Sequence, residues 1–148
     1  MLDLTRPRHA QIDQRLRAEP IIWLSTVRPD GRPHLVVVTF AFASDESKTV
    51  VTAVDAKPKR TQELQRLRNI AANPRVSLLV DGYDEDWAKL WWVRIDGTAH
   101  IVADEPRRTE LTRPLLAKYE QYCTDPPAGP VVVIAVVKRV SWSATETA

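Results

Sequence analysis

The sequence predicts a mainly β fold, a small antiparallel β-barrel with helices packed outside it and over its ends. Three observations predict it. The elements run α, three strands, α, two strands, α, one strand, with hairpin-like spacings rather than regular βαβ alternation. A turn with a clear mechanism, Arg28-Pro29-Asp30-Gly31, separates two runs rich in β-branched and aromatic residues. Residues 90–102 alternate strictly, with Trp91, Val93, Ile95, Ala99 and Ile101 on one face and Trp92, Arg94, Asp96, Thr98 and His100 on the other.

Residues 7–18 read as a helix, with Ile12 and Leu16 at i, i+4 spacing. The hairpin strands are 20–27 and 33–42, and SKTVVTAVD forms a third strand. A helix follows, ending before AANPRV, and then RVSLLVDG gives the fourth strand. The fifth lies in DEDWAKLWWVRIDGTAHIVAD. A helix over about 105–122 starts with Asp104 as its N-cap and Glu105 and Pro106 in its first turn. The sixth strand is PVVVIAVVKRVSWS, apolar on both faces from Val131 to Val137, so its outer face is expected to meet a helix or a second subunit.

The bulk numbers bound the function. A chain of 148 residues suits one domain spanning 1–148. Lys plus Arg (21) nearly balance Asp plus Glu (19), so any basic site is local, and no extended basic–aromatic surface argues for nucleic acid. The single Cys123 gives neither a disulfide framework nor a zinc pattern. The three histidines (His9, His34 and His100) lie far apart, with no metal-ligand spacing, so no metal is expected. The N-terminus lacks a signal-peptide core, and no window has the roughly 20 apolar residues of a membrane span. These features predict a cytoplasmic, soluble protein.

One stretch is electrostatically odd. In DAKPKRTQELQRL, residues 55–67, Pro58 suits a first helical turn, yet Lys57, Lys59 and Arg60 crowd that same end. A helix N-terminus prefers anions. Two readings stay open: a solvated basic turn paired with Glu63, or a phosphate site built from free N–H groups and cations. Trp87 and Trp92 likewise border a planar ligand or fill a subunit interface, beside the acidic loop DGYDED. No G-x-G-x-x-G, Walker loop or nucleophile elbow occurs, so the reactive chemistry of an enzyme here would come from a bound cofactor.

Taken together, RPDGRPHLVVVTF, the basic K-x-K before a helix, ANPRVSLLVD and LWWVRIDGTAHI resemble the pyridoxamine 5′-phosphate oxidase-like (PPOX) superfamily. Over roughly residues 10–141 the run is similar to its deazaflavin-dependent oxidoreductase branch. The resemblance implies a six-stranded split β-barrel of the FMN-binding type, working as a homodimer with cofactors in clefts at the interface. It implies an oxidoreductase acting on a small-molecule substrate with the deazaflavin coenzyme F-420, or alternatively with FMN. A further alternative is a non-catalytic flavin- or heme-binding protein.

Carried over by position, Lys57 and Lys59 match phosphate-contacting residues, and Arg60 and Thr61 begin the same helix. Val36 and Val38 match positions along the isoalloxazine ring, with Thr52 and Ala53 on the neighbouring strand. Trp92 and Arg94 match cofactor-contacting positions of an RQVRIEG-like motif. Tyr83 and Trp87 are candidates for the cleft rim, reaching the other subunit's cofactor. The resemblance makes no side chain obligatory as a general acid. The chain lacks the C-terminal basic and histidine cluster of true pyridoxamine phosphate oxidases, which argues against vitamin B6 oxidation.

Overall fold

In this computed structural model one stretch of chain serves both edges of the sheet. Residues 33–42 form two strands, β2 (Pro33–Val38) and β3 (Ala41–Phe42), where the sequence pattern predicted one. The others are β1 (Ile22–Val27), β4 (Thr49–Ala53), β5 (Arg75–Gly82), β6 (Trp91–Val102) and β7 (Val131–Ser143). They make a single antiparallel sheet in the order β2-β1-β5-β6-β7-β4-β3. The two terminal strands of that order are joined by only Thr39 and Phe40. Three Cα–Cα steps span at most about 11 Å, so the two edges must approach and the sheet curls into a barrel. The structure describes residues 7–43, 47–54 and 62–146, with side chains for 11–43, 47–54 and 65–145.

The strand count rises from six to seven because the partner changes, not the face. His34, Val36, Val38, Phe40 and Phe42 keep one alternation, and Val36, Val38, Phe40 and Phe42 all join the barrel core. The break is fixed by Tyr119. Its hydroxyl accepts from the Phe40 N–H at 3.0 Å and lies 2.8 and 2.9 Å from the carbonyl oxygens of Pro20 and Phe40, to which its proton is donated. Thr39 Oγ1 and the Tyr122 hydroxyl meet at 2.7 Å.

The hairpin turn forms as the sequence requires. Gly31 sits at φ +88°, and its N–H donates to Arg28 O at 2.8 Å. The strict alternation of β6 is also realised: Trp91, Val93, Ile95 and Ala99 are buried. The Trp91 indole lies over the backbone of Gly82, where a Cβ would come within 1.9 Å of Nε1, so no larger residue fits there. A register shift at Asp96/Gly97 leaves Val137 as the extra residue of a β-bulge in β7.

Three helices cover this sheet, joined by a short helical turn. Helix α1 (Pro7–Ala18) buries Ile12 and Leu16 against the barrel, and α2 (Gln62–Ala72) packs on β1 and β6. The predicted helix over 105–122 is two pieces, α3 (Arg107–Lys118) and α4 (Glu120–Thr124), because Tyr119 turns extended to reach the strand crossing. Asp104 does not cap α3 with its side chain; the Glu105 carboxylate instead accepts from the Thr109 N–H at 3.2 Å and from Arg108 Nε at 2.6 Å. Leu111 and Leu115 of α3 form a second core with Val51, Ala53, Val131 and Val133. The apolar outer face of β7 therefore meets a helix over its first residues, while Val137 remains exposed.

Helix α1 is tied to the barrel by charge. Asp13 Oδ1 accepts from Arg139 Nη1 at 2.8 Å and from Ser47 Oγ at 2.9 Å, and Oδ2 accepts from Arg17 Nε at 3.0 Å. Burial alone would raise the Asp13 carboxyl; the bonds from Arg139, Ser47 and Arg17 outweigh it and hold the group below the usual carboxylate range. A lowered folded value means the contribution is present above the ordinary pKa and lost as pH falls through the folded one. Asp13→Ala is therefore expected to cost about 2–3 kcal/mol near neutrality, less than a fully buried pair. In urea unfolding the gap from the wild type should begin to narrow below about pH 4 and go on narrowing as the pH falls further.

Candidate functional site

The outer face of the sheet carries a cluster of exposed apolar side chains, Trp23, Leu35, Val37 and Leu79. Its rows follow from the register. Val37, Trp23, Leu79, Arg94 and Val140 lie side by side across five strands, and Leu35, Ser25, Ser77, Asp96 and Lys138 form the next row. Leu35 is 61% exposed, and Val37, Trp23 and Leu79 stand near 40%. Two adjoining cavities of about 340 and 320 Å³ share Ser25 and Ser77 and form one groove along these rows. One end is walled by Trp23, Leu35 and Leu79, and the other is flanked by Arg75, Thr98 and Val137.

The groove has a polar floor. Ser77 Oγ donates to Asp96 Oδ1 at 2.9 Å, and Arg94 Nε lies 3.8 Å from the same carboxylate. Rows of large apolar side chains beside hydroxyls and one ion pair suit a planar ligand or a second protein surface. Ser25, Ser77, Trp23, Leu35 and Leu79 were missed as site residues. A signal existed: β1 and β2 are apolar at successive positions, Ile22-Trp23-Leu24 and Leu35 to Val38, as strands covered on both faces are.

A second polar group sits on the inner face, under α2. Asn69 is fully buried; its Nδ2 donates to Thr26 Oγ1 at 3.0 Å, and its Oδ1 accepts from Gln65 Nε2 at 2.7 Å. His34 pairs with Thr26 across the hairpin and is buried, with Nδ1 lacking a hydrogen bond. Burial, and then the cations Arg28 and Arg66, push its pKa down, so His34 is neutral at pH 7. Thr52 Oγ1 of β4 is likewise buried without a partner. A buried, unbonded hydroxyl is costly unless something completes it.

The predicted site residues fall in separate places. Lys57, Lys59, Arg60 and Thr61 lie outside the described residues. Val36 and Val38 point into the barrel beside Leu24 and Ile22. Thr52 shares that inner side, whereas Ala53 packs on the opposite face in the core under α3. Trp92 and Arg94 project on the outer face, and Trp92 pairs with Trp142. Tyr83 and Trp87 stand 68% and 70% exposed in the β5–β6 connection. There Asp86 caps a single 3-10 turn by accepting from the Ala88 N–H. His100 is exposed on the outer face of β6. Among the described residues no three His, Cys, Asp or Glu side chains gather as metal ligands, and no helix is long and apolar enough to cross a membrane.

Solved structures share this architecture. A conserved hypothetical protein of Mycobacterium tuberculosis matches with a TM-score of 0.71 at 22% identity, over 91% of this chain and 84% of that one. A protein described as an F-420 reductase matches with a TM-score of 0.60 at 26% identity, over 86% and 94% of the two chains. HutZ, a heme storage protein of Vibrio cholerae, matches with a TM-score of 0.68 at 12% identity, over 90% and 92%. The family model described as pyridoxamine 5′-phosphate oxidase matches residues 9–142. With that match across nearly the whole barrel, and the curled antiparallel sheet it requires, the chain belongs to the pyridoxamine 5′-phosphate oxidase-like family.

Proposed function

We propose that the protein is an oxidoreductase that binds the deazaflavin coenzyme F-420 and moves a hydride between its reduced form and a small organic acceptor. The observation that carries this reading is the barrel shared with an F-420 reductase at 26% identity over 86% of the chain. The cationic run Lys57-Pro58-Lys59-Arg60, directly before α2, adds to it. The bound coenzyme supplies the hydride; the protein's work is holding and orienting. Lys57, Lys59, Arg60 and Thr61 hold the phosphate, where helix N–H groups and cations act together.

The described residues fit a planar ring with a polar edge. Strand β2 ends the sheet order, and among the described residues no strand pairs with its second edge, so backbone donors and acceptors are offered there. Val36 and Val38 belong to this edge strand and anchor it from the core side, and the buried Thr52 hydroxyl, which has no hydrogen bond, lies on the same inner side. A second copy covers the outer groove, so that Trp92, Arg94, Tyr83 and Trp87 border the cleft between subunits. Light scattering is expected to give twice the 16.8 kDa chain mass; a monomer mass would remove the interface cleft.

The test is a fluorescence titration of the purified protein with coenzyme F-420 and with FMN. Micromolar or tighter binding of the deazaflavin, with FMN weaker, supports the reading. Preference for FMN moves the protein to flavin chemistry with a nicotinamide donor. Binding of neither, with a Soret band on adding hemin, makes it a heme carrier. His34 points into the barrel, so exposed His100 would then be the axial ligand to replace.

A further inference from the structure

The end of α3 holds an ammonium group in an unusual place. Lys118 Nζ is buried, has no hydrogen-bond partner, and lies 3.7 Å from the centre of the Phe40 ring and 5.3 Å from that of Tyr119. Phe40 is one of the two residues joining β2 to β3, and Tyr119 bonds its backbone. The amine thus sits on the closure of the barrel. We propose that Lys118 is a proton-operated latch on this closure: the neutral amine keeps the end of α3 seated on Phe40, and protonation favours its release.

The physical basis is the asymmetry between the two forms of the amine. The aromatic faces attract the cation, but they replace none of the hydrogen bonds that an ammonium makes in water. A neutral amine loses far less on burial. Burial accordingly lowers the Lys118 pKa to about 8, with Glu19 at the end of α1 opposing the shift. Among the described residues, the polar groups at this crossing are the Tyr119 and Tyr122 hydroxyls, Thr39 and the Pro20 and Phe40 carbonyls. Burial pushes Tyr119 further up, so it stays protonated where Lys118 titrates. A released amine regains its ordinary value of 10.5. The release equilibrium constant therefore falls about tenfold between pH 7 and pH 9. The inference concerns the closure alone and stands whichever cofactor binds.

Two measurements test it. In ε-13C-lysine NMR of the wild type, with Lys118→Arg identifying the signal, Lys118 should titrate near 8; titration near 10.5 overturns the proposal. Hydrogen exchange of the Phe40 amide, corrected for intrinsic rate, should gain about tenfold protection from pH 7 to 9. Lys118→Met should abolish that gain while staying folded, since its unbranched apolar chain suits the same packing. Equal gains in wild type and Lys118→Met overturn the proposal as well. If the Met variant fails to fold, the wild-type titration decides alone.

Discussion

Replacing Lys57 and Lys59 together by Ala is expected to weaken coenzyme F-420 binding by about 100-fold or more. Each charge-assisted bond to phosphate contributes about 1.5–3 kcal/mol, and every 1.4 kcal/mol is tenfold in affinity. The two cations precede α2 in the sequence, and a helix N-terminus favours anions. Fluorescence titration of the double variant at fixed ionic strength reads the effect, with circular dichroism as the control for folding. Unchanged affinity would mean that the phosphate is held elsewhere and that the basic run is a solvated turn. The single Lys59→Ala variant should lose roughly tenfold.

Phe40→Ala is expected to be the most destabilising single truncation. The ring is fully buried and packs edge-on to Phe42 at 6.2 Å, with Lys118 over its face. Emptying such a site costs about 3–5 kcal/mol, from lost transfer energy and the cavity left behind. For a domain of this size that lowers Tm by about 10 °C or more. Phe40→Leu, which keeps most of the volume, should cost under half as much. Thermal unfolding followed by near-ultraviolet circular dichroism checks both. A loss below 1 kcal/mol in the Ala variant would show that the crossing residues do not hold the barrel closed.

Sequence pattern carries faces well and partners poorly, and the fold divides along that line. The alternation of β6, the Gly31 turn and the i, i+4 pair of α1 each depend on residues near in sequence, and each was legible. The change of partner within 33–42 was not. Val38, Phe40 and Phe42 continue one alternation while the strand moves from β1 to β4. The end of α3 was hidden for a similar reason. Lys118 and Glu120 suit a helix, and what breaks it is the demand of Pro20 and Phe40, about 80 to 100 positions away, for the Tyr119 hydroxyl. The charge anomaly at 57–60, which lies outside the described residues, and the family resemblance supply the proposed phosphate site. The outer groove required the register, which sets Trp23 between Val37 and Leu79.

The sheet order also has a kinetic side. The pairs β1–β2, β5–β6 and β6–β7 join strands that follow one another along the chain, whereas β4 finds β7 only across some 80 residues, with Thr49 opposite Ala135 and Ala53 opposite Val131. Closing so long a loop carries more entropy cost than closing a hairpin, and long-range pairing of this kind slows folding. During synthesis the β4 edge has no long partner until residue 131 has left the ribosome. The last thirteen-residue strand then joins the halves, pairing with β4 on one side and β6 on the other. A chain that stops before Pro130 would expose two further strand edges, those of β4 and β6, the condition under which sheets pair between molecules instead of within one.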